Sequence, residues 1–187
     1  MLLDVLKNFE WYNEPLRITY REDGMDICTE MQTDFWQSQY HHLYKDNGHY
    51  FYTHKSDDFN LNIHWKFEEY SGFRQCGAMV RIDERNWIKV GIMSPDDNKL
   101  QVGTVVTHHG NSDWASHALV SVNDEIWFRI KRIKSDYVIF VSTDGQNYQQ
   151  LRLCSFHMES PEVKVGAYSC SPQNVSFVCT LMNLTLD

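Results

Sequence analysis

Residues 59–67, FNLNIHWKF, constrain the fold more than any other stretch. Phe59, Leu61, Ile63, Trp65 and Phe67 alternate there with Asn60, Asn62, His64 and Lys66. Successive side chains of an extended strand point to opposite faces, so this segment has one apolar and one polar side, the mark of an antiparallel strand buried on one face. The same period of two recurs in LRITY, MDICTE, HYFYTH, GAMVRID, NWIKVGIM, KLQVGTVVT, EIWFRIKRI, DYVIFVST, VKVGAYSC and NVSFVCTLMNLTL. Turn signals separate these runs: DNG at 46–48, PDDN at 95–98, HGNSD at 109–113, KSD at 134–136, DGQN at 144–147 and SPQN at 171–174. Strands with one apolar face must bury it against one another, which predicts an all-β, two-sheet antiparallel sandwich. Helix is expected only near residues 2–9 and as a turn around 34–39.

The chain of 187 residues is long enough for one sizeable core and contains no repeat, linker or low-complexity segment, so residues 1–187 read as a single domain. Its 25 acidic and 17 basic residues give a formal net charge of -8, with no basic block. Nucleic-acid binding starts from a positive footprint, so no nucleic acid is expected as a partner. No apolar run approaches the roughly 20 residues that span a bilayer, and the N-terminal segment lacks the pattern of a secretory signal, so no membrane partner is expected either. Cys28, Cys76, Cys154, Cys170 and Cys179 are odd in number and lack C-x-x-C spacing, which suits reduced thiols in a cytoplasmic protein.

No cofactor or metal is expected. The pairs His41-His42 and His108-His109 each offer at most one ligand to a given site, because adjacent strand residues face opposite ways. PDDN and DNG lack the spaced ligands of a calcium loop, and no phosphate-cradling glycine motif is present. STDGQNY, residues 142–148, reads as a hairpin device.

The stretch GAMVRIDERNWIKVGI, residues 77–92, carries the densest group of candidate binding residues. A three-residue loop, Glu84, Arg85 and Asn86 with Asn86 left-handed, would pair Asp83 with Trp87, Arg81 with Lys89 and Met79 with Gly91. Ala78, Val80 and Ile82 would then pair with Ile92, Val90 and Ile88 on an aliphatic face. A two-residue loop would set Arg81 against Ile88 and is rejected for that reason. The expected register collects Arg81, Asp83, Trp87 and Lys89 on one face, with Gly91 leaving space beside them. An exposed tryptophan ring near fixed donors and acceptors suits a sugar, whose C–H face stacks while its hydroxyls hydrogen-bond. The alternative is an ordinary solvated face. Trp65 and Trp127 lie in strongly apolar strands and read as core. Trp36, Trp87 and Trp114 are the candidates for an exposed platform, joined by Tyr40 and His42.

Several separated motifs, TDFWQSQYHHLYKDNGHYFY, GAMVRIDERNWIKVGI, VVTHHGNSDWAS, STDGQNYQQLRL and VKVGAYSCSPQNVSFVCTLMNLTL, resemble in order and spacing the DUF1349 family over about residues 10–187. The resemblance implies a jelly-roll sandwich of the concanavalin A-like lectin/glucanase type, in which the concave sheet face commonly binds carbohydrate. It points to Asp34 and Trp36 of TDFW, Arg81 and Asp83 of VRID, Trp87 and Lys89 of NWIK, and Asp113 and Trp114 of SDW. Relatives tend to carry an acidic residue after KVGI where this chain has Met93.

Three functions follow as expectations. The first is a non-catalytic module binding a small carbohydrate or sugar phosphate, with Trp87 stacking and Arg81, Asp83, Lys89 and Asp34 holding hydroxyls or an anionic group. The second, suggested by fungal members of the family, is a regulatory module whose aromatic and charged patch binds a metabolic, glycolytic enzyme. The third is a glycoside hydrolase with carboxylates from separate strands, Asp34 with Asp83 or Asp113, since the E-x-D-x-E pattern of laminarinase-like enzymes is absent.

Overall fold

In a computed structural model, which describes residues 5–38, 42–67, 73–93, 100–119, 124–156 and 162–187, the alternating segments pair as their patterns require. The strands are β1 (Glu10–Tyr12), β2 (Arg17–Tyr20), β3 (Met25–Cys28), β4 (Phe35–Ser38), β5 (Leu43–Asp46), β6 (His49–Lys55), β7 (Phe59–Phe67) and β8 (Gln75–Asp83). They continue with β9 (Asn86–Met93), β10 (Gln101–His108), β11 (Asn111–Ala118), β12 (Glu125–Ile133), β13 (Asp136–Ser142), β14 (Gln149–Ser155), β15 (Val163–Cys170) and β16 (Val178–Leu186). Sheet A has the order β1-β6-β15-β8-β9-β10-β11, and sheet B has β14-β13-β12-β7-β16-β3-β2. β4 and β5 form a separate hairpin.

The main core lies between the sheets. Phe59, Leu61, Ile63, Trp65 and Phe67 all face inward from β7, as the opening pattern predicts, against Cys76, Ala78 and Val80 of β8 and Ile88, Val90 and Ile92 of β9. The Trp65 indole N–H crosses the core and donates to the Gly77 carbonyl at 3.1 Å. In β16 the inward positions move from Leu181 to Leu184, and a register shift between Leu181 and Asn183 absorbs the extra residue.

Two of these expectations change. Residues 35–38 are extended rather than a helical turn. The HGNSD turn is shorter than expected: only His109 and Gly110 have positive φ, 50° and 80°, and β11 starts at Asn111. At the N-terminal end, Val5 and Leu6 are helical among the described residues. PDDN lies outside the described residues.

The β8–β9 register also differs. Ala78 faces Val90, Met79 faces Lys89, Val80 faces Ile88, and Arg81 faces Trp87, with a shift between Arg81 and Asp83. The turn contains two residues, and Ile82 is the extra residue of a bulge, so Asn86 need not be left-handed. Because the bulge restores the parity that a two-residue turn would have inverted, Arg81, Trp87 and Lys89 still share a face opposite the aliphatic set.

Candidate ligand cleft

The face of sheet A turned away from sheet B carries Tyr50, Tyr52, Met79, Trp87, Val105, Tyr168 and Cys170, and the hairpin lays Phe35 over them to form a second buried cluster. Two cations pin the hairpin. At its entry, Lys89 Nζ donates to Asp34 Oδ1 (3.1 Å), the Phe35 carbonyl (2.8 Å) and Gln75 Oε1 (3.1 Å). At its exit, Arg81 makes a two-pronged bond to the Asp46 carboxylate, at 2.5 and 2.8 Å. Tyr12 donates to Asp46 Oδ2 at 2.7 Å, and its ring lies 4.6 Å from the guanidinium. Burial opposes the charge on Arg81, but Asp46 outweighs it and holds the guanidinium above its ordinary pKa. A third anchor joins the hairpin to β11: the Gln37 N–H donates to Ser112 Oγ at 3.1 Å, and Ser112 bonds Thr107 at 2.7 Å.

This third layer overturns part of the expected site. Trp87 is 0% exposed and is core to the second cluster, with its indole N–H donating to the Glu84 carbonyl at 3.2 Å, so it offers no platform. Arg81 is 4% exposed and fully engaged by Asp46, so it cannot hold an anionic ligand. Asp83 is a turn residue that accepts from the Arg85 N–H (2.8 Å) and the Asn86 amide (2.9 Å). Asp113 follows the strand alternation to the side opposite Trp114 and pairs with Arg152 at 2.7 Å. His42 is exposed beyond β4, with φ 48°. The space expected at Gly91 is filled: a Cβ there would lie 2.3 Å from the Tyr168 hydroxyl. Trp127 is not core either; it is half-buried on the outer face of sheet B, stacked on His64 at 4.1 Å. Tyr40 lies outside the described residues.

Asp34, Trp36, Lys89 and Trp114 do come together. With Gln75, Met93, Val105, Leu43, Phe73 and Pro172 they line a cleft of about 240 Å³ between the hairpin and β9–β11. Trp36 and Trp114 meet edge to face at 6.3 Å and 89°, and Trp114 is 44% exposed. The cleft is mostly apolar, with its polar groups gathered around Lys89. Burial, together with Asp34, pushes the Cys170 thiol well up, which keeps it neutral beside the carboxylate. Among the described residues, no group of three or more His, Cys, Asp or Glu could hold a metal ion.

Sequence reasoning missed Gln75, Asp46 and Phe35. Gln75 was accessible to it, lying two residues before Gly77 on the Arg81 face of β8. Asp46 was read only as part of a turn signal, and nothing local marks it as the partner of a residue 35 positions away.

The fold and cleft define a two-sheet antiparallel jelly-roll sandwich with a hairpin-roofed outer face. The chain belongs to the DUF1349 family, described as "Protein of unknown function", which matches residues 11–187. It is 27% identical over 176 residues to Regulation of enolase protein 1 of Saccharomyces cerevisiae, covering 94% of this chain and 87% of that protein. A crystal structure of a functionally unknown protein from Saccharomyces cerevisiae superposes with a TM-score of 0.90 at 27% identity, over 97% of both chains. The carbohydrate binding module CBM66 from Bacillus subtilis shares the fold at 10% identity, with a TM-score of 0.62 over 96% of this chain and 95% of that one. The GH43 protein BlXynB from Bacillus licheniformis gives 0.76 at 10% identity, over 96% of this chain and 36% of the larger one. No helix among the described residues is long and apolar enough to cross a membrane.

Proposed function

We propose that this protein is a non-catalytic carbohydrate-binding sandwich whose uncharged ligand enters the Trp36–Trp114 cleft. The observation that carries this reading is one cleft combining two tryptophans with Asp34 and Gln75, the mixture of ring surface and hydroxyl-bonding groups that sugars need. The CBM66 neighbour, a carbohydrate binding module matched over nearly its whole length, supports it. Sugar phosphates fit poorly, because Arg81 and Lys89, the cations expected to hold an anionic group, are already paired with Asp46 and Asp34. Catalysis is disfavoured for a similar reason. Glycoside hydrolysis ordinarily takes two carboxylates flanking the bond, and Asp34 is the single carboxylate lining the cleft among the described residues. The five free thiols fit a cytoplasmic location.

The test is a thermal-shift series with wild type and Trp114→Ala against neutral sugars, oligosaccharides and sugar phosphates. A neutral sugar should raise the wild-type Tm with concentration, since binding the folded state alone stabilises it. Trp114→Ala should abolish the shift while keeping its own Tm within a few degrees. The absence of a shift with every carbohydrate would overturn the proposal.

A second reading is favoured by Leu43 and Trp114, large apolar side chains exposed at the same cleft, and by the name of the yeast relative. There the rim is an interface for a metabolic enzyme, enolase being the first candidate. Co-sedimentation with enolase that persists in saturating sugar, and is lost in Leu43→Ser, would support it. No co-sedimentation would remove it.

A further inference from the structure

Resting on the carbohydrate reading, the geometry points to a narrower ligand: we infer that the cleft reads two adjacent hydroxyls of a single uncharged terminal sugar ring, through Asp34 Oδ2 and Gln75 Nε2, with Lys89 as the residue that positions both.

The argument begins with Lys89, which is 2% exposed. An ammonium has three N–H donors and no acceptor, and all three are taken, by Asp34 Oδ1, the Phe35 carbonyl and Gln75 Oε1. Because Lys89 can only donate, the Gln75 atom facing it is oxygen. Gln75 Nε2 is then the remaining polar atom of a side chain that lines the cleft, and no described residue bonds it.

Asp34 is divided in the same way. Its Oδ1 accepts from Lys89, from the Phe35 N–H at 2.8 Å and from Cys170 at 3.7 Å. Its Oδ2 has no bonding partner among the described residues. Two groups locked by one ammonium therefore leave one acceptor and one donor. Each sugar hydroxyl can donate and accept, so a neighbouring pair satisfies both at once. The paired Lys89 and Asp34 leave no net charge to attract an anion, and the spare oxygen belongs to a carboxylate that would repel one.

Size and access restrict the ligand to one ring. At about 240 Å³ the cleft lies below the roughly 300–1,000 Å³ of sites that enclose drug-sized ligands. The hairpin crosses the sheet from the Asp46–Arg81 pair on β8 to Ser112 on β11. A polysaccharide lying across the strands would collide with it, whereas a chain end can enter beside Trp114.

The experiment is calorimetric titration of the whole chain with glucose, mannose, galactose, fructose and xylose, their methyl glycosides, monodeoxy forms and phosphates, and a xylo-oligosaccharide ladder. At least one free sugar should bind, and its methyl glycoside should bind within about threefold. Removing one of two adjacent hydroxyls, or adding a phosphate, should cost about tenfold or more, as expected for a lost buried hydrogen bond. Gln75→Glu keeps the acceptor for Lys89 but turns the donor into a second acceptor. It should lose about tenfold in affinity relative to wild type and should no longer discriminate the corresponding deoxy sugar, both read at a temperature where thermal melts show the variant folded. Oligosaccharides binding where no single sugar does, a preference for phosphates, or deoxy sugars binding as well as their parents would overturn this inference and leave the carbohydrate reading standing. Silence across the whole panel would overturn both.

Discussion

The outer faces of the two sheets are built from similar alternating sequence, yet only one of them lies open to water. On sheet B, Arg129 bonds Asn62 at 2.6 Å and rests on Tyr148 at 3.9 Å, while His64 meets Glu125 at 3.1 Å; these groups are half-buried. On sheet A, Arg81 and Lys89 are buried under the β4–β5 hairpin, each with a carboxylate of that hairpin's own ends. Alternation reports which side chains avoid the space between the sheets. Whether water or another piece of chain covers them is decided by the hairpin.

The sharpest contrast should come from core groups of that covered face. Trp87→Ala is expected to cost about 3–5 kcal/mol, the range for emptying a large buried aromatic site, whereas Trp114→Ala should cost about 1 kcal/mol or less as a partly exposed group. Urea unfolding of the two variants measures this directly, and equal losses would end the distinction between second core and cleft wall. Asp46→Leu should follow closely, at about 3–5 kcal/mol, because it leaves the Arg81 charge buried and unpaired. Restoring stability by adding Arg81→Met would identify the pair as the cause; no recovery would assign the loss to the hairpin instead.

The two faces should also separate by pH. Burial, then a hydrogen bond to Glu10, pushes Tyr52 up to about 12, and burial holds Tyr50 and Tyr168 well above the ordinary tyrosine range. A raised folded-state pKa gives stability that is complete below the unfolded value, about 10 for tyrosine, and is lost as pH rises through the folded one. Stability should therefore fall between about pH 10 and 12, after an earlier decline of the same sign from the buried Cys76 and Cys170. Tyr52→Phe should flatten that limb in unfolding curves taken at stepped pH. On sheet B, burial lowers the pKa of His64 against the opposing pull of Glu125. Its contribution is present above about pH 6.5 and is lost as pH falls. His64→Gln should remove that acid-side slope without touching the alkaline one. The smallest effect is expected for Lys131→Met on the outer face of sheet B, within about 0.5 kcal/mol by thermal melt.

The sandwich was legible because its signals are local. Five alternating apolar residues in β7 and the aliphatic triplets of β8 and β9 name the core directly. The face shared by Arg81, Trp87 and Lys89 was also correctly grouped, although through a register two residues out, since a bulge and a longer loop conserve the same parity. What the sequence withheld was the roof. TDFW and DNG each look like ordinary loop chemistry, and their function as anchors depends on Lys89 and Arg81, 55 and 35 positions along the chain. The cleft was half visible for the same reason: Asp34, Trp36, Lys89 and Trp114 stand in the motifs that carry the family resemblance, while Gln75 acquires meaning only from the ammonium it faces.

The strand order carries a consequence for how the molecule is made. β15 lies between β6 and β8 in the middle of sheet A, and β16 lies between β7 and β3 in the middle of sheet B. As the chain emerges from the ribosome, both sheets lack a central strand until residues 163–186 are synthesised, and β6, β8, β7 and β3 offer unpaired edges in the interval. Such edges invite association with other nascent chains. β15 and β16 therefore act as keystones: until they are in place, four strand edges stay open to mispairing.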